Sequence, residues 1–138
     1  MKAEAIFVPV AVLAIWTLVV LFLTGLRRVQ AARAGRVSPG AFRLGESAEV
    51  PADLVVLNRH LMNLLEMPVL FYVVVLGSYT TRRVDAITVW LSWAYIALRL
   101  MHSFVHLTSN RIIARLLTFA AGNFVLLAMW LWFVWRVT

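Results

Sequence analysis

The chain has 138 residues, of which 63% are hydrophobic, and its mean hydropathy is +0.89. Soluble domains of this size are about half apolar, so the composition excludes an ordinary soluble domain and predicts an integral membrane protein. The absence of cysteine excludes disulfides, and the net charge of +7 does not indicate a nucleic-acid binder, because basic and aromatic residues do not alternate on a soluble face.

Four apolar runs are each near or above the roughly 20 helical residues that cross a hydrocarbon core. They cover about residues 5–26, 54–79, 84–107 and 112–134. The last three runs are joined by short turns, so consecutive helices should be antiparallel neighbours. The sequence therefore predicts an all-α fold, an integral membrane antiparallel four-helix bundle, in which residues 1–138 form a single domain.

The one substantial loop, residues 27–53, is rich in arginine, glycine and proline. The side of the bundle that holds this loop and the last turn carries Arg27, Arg28, Arg33, Arg36, Arg43, Arg111 and Arg115. The opposite side carries only Lys2, Arg82, Arg83 and Arg136. Because cytoplasmic loops are enriched in basic residues, we expect both termini on the non-cytoplasmic side of a multi-pass protein.

Arg59, Asn63 and Glu66 lie inside the second apolar run. A charged side chain at mid-membrane depth costs about 2.5–3.5 kcal/mol, so such residues usually face the bundle interior and mark a ligand or ion site. On a helix, positions i, i+4 and i+7 fall within about 60° of one another. The three side chains therefore share one face, and we expect them to act together in binding.

The third apolar run holds a second polar set, Arg99, His102 and His106, again on one helical face. Glu66 is the only acidic residue well inside any run, so we expect it to pair with Arg99 or Arg59. Two arginines competing for one carboxylate leave positive charge that an anionic ligand would neutralise. The alternative is a purely structural network that holds the helices in register.

The histidines are weaker signals. His102 and His106 have the i, i+4 spacing of a metal pair, but no nearby cysteine and no carboxylate on the same helix completes a coordination set. We therefore expect no metal site. His60 lies off the stripe of polar residues in the second run, and we expect it to pack against other residues or to lie at the lipid interface.

Two motifs and one loop resemble those of a known family. They are Arg59-x3-Asn63-x2-Glu66 followed by Pro68, Arg99-x2-His102-x12-Arg115, and Ala32-Arg33-Ala34-Gly35-Arg36-Val37-Ser38-Pro39 after the first run. In this order and spacing they resemble the MAPEG family, membrane-associated proteins in eicosanoid and glutathione metabolism. The loop is similar to the one after the first helix in leukotriene C4 synthase, and the resemblance covers almost the whole chain.

The resemblance implies a homotrimer of four-helix subunits that binds glutathione, as cosubstrate, between neighbouring subunits inside the membrane. Arg59, Asn63 and Glu66 match the residues that hold the charged and amide groups of glutathione. Arg115 matches the arginine that stabilises the glutathione thiolate. A guanidinium can do this because a positive charge beside a thiol favours its ionised form.

The other residues that match the family are less central to the implied glutathione site. Arg33 matches a loop arginine proposed to assist at the lipophilic substrate, and Arg28 and Arg111 match basic residues that border the site. Arg99 and His102 fall where the prostaglandin E synthase branch also carries arginine and histidine.

Three positions depart from the family pattern. We also expect His106 to contact glutathione, although it occupies a place where one branch of the family has tyrosine. Met62 replaces a basic residue of that branch, and Pro68 comes one residue earlier than in leukotriene C4 synthase. The identity of the lipophilic substrate therefore does not carry over.

Two functional hypotheses follow. The first is a glutathione-dependent membrane transferase or peroxidase, in which an arginine activates the glutathione thiolate and a lipophilic electrophile or hydroperoxide arrives from the bilayer. The second is a noncatalytic MAPEG-like membrane protein that binds lipid or an anionic metabolite. Arg115 separates the two, because only the first requires a thiolate.

Overall fold

The structure, a computed structural model, describes residues 2–43 and 47–138, and the regular elements in these ranges are all helical. The helices are α1 (Phe7–Arg33), α2 (Ala52–Glu66), α3 (Pro68–Thr80), α4 (Ala86–Leu107) and α5 (Ile112–Val137). Because α2 and α3 are separated only by Met67, which itself has helical backbone angles, they act as one helical segment. The prediction of an all-α fold with four helical segments is thus confirmed.

The first helix is longer than the sequence pattern predicted. α1 continues past residue 26 to Arg33, so three arginines assigned to the loop lie on its last turns. The segment Val29-Gln30-Ala31-Ala32 contains no helix breaker, and the helix ends just before Gly35, whose φ of 68° is a left-handed conformation that glycine adopts readily. The connection to α2 therefore starts at residue 34, and its residues 44–46 lie outside the described ranges.

Pro68 divides the second segment into a polar half and an apolar half. Proline has no backbone N–H to donate to the preceding turn, so the helical hydrogen bonding is interrupted after Glu66. All charged residues of the segment lie on α2, whereas α3 carries none. The polar stripe expected from the sequence is therefore confined to α2.

Three helical segments are long and apolar enough to cross a membrane: Ala3–Arg33, Ala52–Thr80 and Ile112–Val137. α4 was also expected to span, but its apolar character is diluted by Arg99 and two histidines. It packs against α1, α2 and α5, most extensively against α5, and it buries six polar side chains. These are Thr88, Ser92, Arg99, His102, Ser103 and His106.

The outer surface of the bundle is apolar. Large side chains such as Phe22, Trp90 and Ile112 are more than 70% exposed, an arrangement that costs free energy in water but not in lipid. Inside, Trp16 of α1 donates its indole N–H to the Ser103 hydroxyl of α4 at 2.9 Å. Hydrophobic packing and this bond together hold α4 against α1.

Asp85 joins the start of α4 to the end of α5. Its carboxylate accepts hydrogen bonds from the backbone N–H of Thr88, at 2.8 Å, and from the indole N–H of Trp132, at 3.2 Å. The guanidinium of Arg136 lies 3.7 Å away. Partial burial raises the pKa of Asp85, but the hydrogen bonds from Thr88 and Trp132 and the charge of Arg136 outweigh this effect, so the pKa lies below its ordinary value.

This lowered pKa predicts a pH-dependent stability. The charged form of Asp85 stabilises the fold above the unfolded-state pKa of about 3.9, and this contribution is lost as the pH falls through the lower folded-state pKa. Asp85→Asn keeps a side chain that caps helices well but removes the charge. We expect it to destabilise the detergent-solubilised protein by about 1 kcal/mol or less at pH 7, measured by thermal unfolding.

The difference between Asp85→Asn and wild type should shrink toward zero below about pH 4. Glu49→Gln, which neutralises an exposed carboxylate, is the control and should show little difference at either pH. A destabilisation by Asp85→Asn that is the same at acid and neutral pH would assign the effect to capping rather than to charge.

Candidate functional site

A cavity of about 300 Å³ lies among α2, α4 and α5. Its polar wall consists of Arg59 and Asn63 from α2, His102 and His106 from α4, and Arg115 from α5. The apolar part of the lining is formed by Ile112, Leu116 and Phe119, which lie on α5 together with Arg115. Five residues expected to bind a ligand are thus brought together, although they come from three separate helices.

The charge of this wall is positive. Among the described residues that line the cavity, two are arginines and none is a carboxylate. Asn63 adds an amide with both donor and acceptor groups. An arginine fork suits carboxylates because it donates parallel hydrogen bonds, so the chemistry of the wall fits an anion that also carries amide groups.

Arg115 is positioned by the turn between α4 and α5. Its guanidinium donates a hydrogen bond of 2.9 Å to the side-chain carbonyl of Asn110. Asn110 has a φ of 46°, a left-handed conformation that asparagine tolerates better than most residues. The turn therefore holds the arginine beside the cavity before any ligand binds.

Arg99 is buried, with 2% of its surface exposed. Its Nε–H donates to the Tyr95 hydroxyl and one terminal nitrogen donates to the Asn123 side-chain carbonyl, both at 2.9 Å. The guanidinium also lies over the rings of Tyr95 and Phe119, at 5.0 and 5.3 Å from their centroids. A buried cation needs such hydrogen bonds and ring contacts to offset its lost hydration.

Of the two ion pairs expected for Glu66, the one with Arg99 is not found among the described residues, since the partners of Arg99 are neutral. Glu66 is exposed on the surface of α2, as is Arg59. The face of α2 that turns inward instead carries Leu57, His60 and Leu64. The positive charge of Arg99 is consequently not neutralised by a carboxylate at this point of the fold.

Three further residues expected at the site lie away from the cavity. Arg28 donates to the Asn58 side chain at 2.7 Å and lies 5.0 Å from the centroid of the Phe42 ring. Arg33 is exposed at the end of α1, and Arg111 is exposed where α5 begins. Within one chain these residues border the bundle surface rather than the cavity.

His60 meets the other two histidines in the core. Its ring centroid lies 6.0 Å from that of His102 and 5.1 Å from that of His106. His60 has no exposed surface, so of the two expectations for it, packing describes its position and the lipid interface does not. His106 also lines a second cavity, of about 450 Å³, together with Arg27 and Asn110.

Several residues that shape the site were not singled out from the sequence. Asn123, which holds Arg99, and Asn110, which holds Arg115, are polar residues next to or within an apolar span, a signal that was visible. Phe119, which contacts both Arg99 and His102, is one aromatic residue among many in this chain. Its role depends on how α5 is rotated against α4, which the sequence pattern does not specify.

The sequence profile of the MAPEG family matches residues 6–135. The chain belongs to the MAPEG family. No curated protein and no solved structure matches it at a significant level. MAPEG proteins include glutathione transferases and related proteins, and with the apolar helices described above, membership identifies an integral membrane protein.

The partners of Arg99 predict a stability effect. Tyr95→Phe removes the hydroxyl that accepts the Nε–H bond and leaves a buried charged donor unpaired, which should lower the free energy of unfolding by about 1.5–3 kcal/mol. Reversible unfolding in mixed detergent micelles measures this. The control is Tyr79→Phe, the same chemical change at a tyrosine whose ring packs on Phe7; equal losses for both variants would contradict the role given to Tyr95.

Proposed function

We propose that this protein is a glutathione-dependent membrane transferase or peroxidase. The observation that carries the proposal is the cavity that Arg59, Asn63 and Arg115 line together with apolar side chains of α5, with no carboxylate among its described lining residues. The polar residues suit a charged tripeptide, and the apolar residues suit a lipid-soluble acceptor. Membership of the MAPEG family, which includes glutathione transferases, supports the same assignment.

Arg115 is the candidate catalytic residue. A free thiol has a pKa of about 8.5, and a fixed guanidinium beside the sulfur lowers it by stabilising the thiolate, which is the reactive nucleophile. Arg59 is the candidate for binding a carboxylate of glutathione, and Asn63 for its amide groups. His102 and His106 complete the polar wall.

The chemistry then has two forms. With an electrophile, the thiolate sulfur forms a bond to carbon, and the electron pair moves to the acceptor atom or to a leaving group. With a hydroperoxide, the thiolate sulfur attacks an oxygen, the O–O bond breaks, and the alkoxide that leaves takes up a proton to become the alcohol. The sulfenic acid left on glutathione then reacts with the thiol of a second glutathione to give the disulfide and water. In both forms the protein ionises the sulfur of glutathione and holds it close to the atom that it attacks.

A homotrimer would complete the site. The cavity opens at the surface of the single chain, and Glu66, Arg28, Arg33 and Arg111, all expected near glutathione, lie at or near the chain surface instead of lining it. An exposed polar stripe on a membrane helix is costly unless a neighbouring helix covers it. We propose that another copy of the chain covers this face, and the mass of the protein in detergent, corrected for bound detergent, should be that of three chains.

Arg115→Ala tests the proposed chemistry. We expect the ultraviolet absorbance of thiolate to be lost when glutathione is bound, and conjugation of a generic electrophile to fall by 100-fold or more, on the order of the loss when a group that stabilises charge is removed. The matched control is Arg83→Ala, an exposed arginine in the turn between α3 and α4, which should keep wild-type activity.

Two results would defeat the proposal. Wild-type protein that neither binds glutathione nor conjugates the electrophile would favour the noncatalytic alternative, a membrane protein that binds lipid or an anionic metabolite. Unchanged thiolate absorbance in a folded Arg115→Ala variant would remove the role of this arginine.

Asn110→Gly tests the positioning of Arg115 separately. Glycine adopts a positive φ without strain, so the turn should persist while the acceptor for Arg115 is lost. We expect thermal stability to change little and the rate at saturating glutathione to fall by about tenfold or more, because a small misplacement of a reacting group is costly. Arg82→Gly, at another residue with positive φ, 56°, is the control, and an equal loss of rate there would contradict the role of Asn110.

A further inference from the structure

All three histidines of the chain meet in one buried cluster. His60 comes from α2, and His102 and His106 come from successive turns of α4. Each is at most 3% exposed. Taking one ring nitrogen from each, the three atoms lie within 4.8 Å of one another.

The cluster has unused hydrogen-bonding capacity. Among the described residues, both nitrogens of His60, Nε2 of His102 and Nδ1 of His106 have no hydrogen-bond partner. Buried polar atoms are almost always satisfied, and exceptions point to a strained or functional site or to a missing water or ion. Four such atoms in one cluster indicate a ligand that accepts lone pairs from several imidazoles at once.

The orientation of His102 supports a metal ion as that ligand. Its Nδ1 lies 3.2 Å from the backbone carbonyl of Arg115 and 3.3 Å from the Thr118 hydroxyl. A carbonyl oxygen only accepts, so Nδ1 carries the proton and Nε2, which has no hydrogen-bond partner among the described residues, keeps an unused lone pair. Histidines that bind metals are typically oriented in this way, by donating the other N–H to a carbonyl or carboxylate.

We propose that His60, His102 and His106 bind a divalent transition-metal ion of the zinc class, with the fourth coordination position open to the cavity. Imidazole nitrogens suit zinc and its neighbours in the first transition series, and three histidines with one open position form a known type of catalytic zinc site. Zn–N bonds of about 2.0–2.1 Å place tetrahedral nitrogens about 3.3 Å apart. The ring nitrogens lie within 4.8 Å of one another, so binding a metal ion requires them to approach by about 1.5 Å. Rotation of the imidazole rings about their side-chain bonds would achieve this.

The charges around the cluster define the fourth ligand. The cluster contains no carboxylate, Arg115 lines the same cavity as two of the histidines, and the Arg99 guanidinium shares the Phe119 ring with His102. A dication in this positive setting needs an anion to offset its charge. The open position should therefore hold an anionic ligand such as hydroxide.

The sequence predicted no metal site because no nearby cysteine and no carboxylate on the helix of His102 and His106 completes a coordination set. The third ligand belongs to α2 and comes close only through tertiary packing. The metal site does not depend on the proposed use of glutathione, since none of its ligands or contacts requires that molecule.

Metal binding to the purified protein tests the inference. The chain should be produced with an affinity tag that contains no histidine, stripped with a chelator, placed in lipid nanodiscs without glutathione, and dialysed against Zn²⁺. We expect about one ion per chain, and with Co²⁺ as a probe the strong visible absorption of a tetrahedral site. Zn²⁺ should also raise the unfolding temperature, because it binds the folded state.

His60→Leu and His106→Leu should each weaken Zn²⁺ binding by about 100-fold or more, since even losing an outer partner of a metal ligand costs 10–100-fold. Tyr95→Phe, a variant on α4 that we expect to be destabilised but that leaves the cluster intact, controls for general loss of stability and should bind like wild type. Wild-type protein that takes up no Zn²⁺ overturns the proposal, whether or not the variants fold. Stoichiometric Zn²⁺ binding that both His60→Leu and His106→Leu retain would also overturn it.

Discussion

The burial of Arg99 is the constraint on which the rest of the bundle depends. A guanidinium in a low-dielectric core is tolerated only where neutral dipoles and aromatic rings replace its water, and here Tyr95, Asn123 and Phe119 do so. Two of these partners come from α5, so the charge fixes how α5 is rotated against α4. This agrees with α4 packing more extensively against α5 than against α1 or α2.

The same constraint sets the electrostatic character of the cavity. Because the partners of Arg99 among the described residues are neutral, its positive charge adds to that of Arg115, which lines the cavity. In water this excess would be screened within about 10 Å, but inside a bilayer it is screened much less. An anion entering the cavity would therefore gain more from these arginines than from the same residues on a soluble surface.

Much of the fold could be predicted from the sequence, because the number, order and approximate ends of the helices depend on local composition. Which residues share a face was also predictable, as for Arg59 and Glu66. Which face of α2 points inward was not. The expectation that costly residues turn inward holds for α4, but on α2 the buried face carries His60 and leucines, and the charged stripe faces outward in the single chain. Whether such a stripe meets lipid depends on what covers it, which local sequence does not specify.

Residue 115 links the two sites that we propose. Its side chain lines the cavity, and its backbone carbonyl accepts from His102, whose ring is part of the histidine cluster. Asn110 holds the guanidinium from the turn before α5, and the carbonyl belongs to the first turn of that helix. A movement of the backbone at residue 115 would therefore change both the lining of the cavity and the orientation of His102.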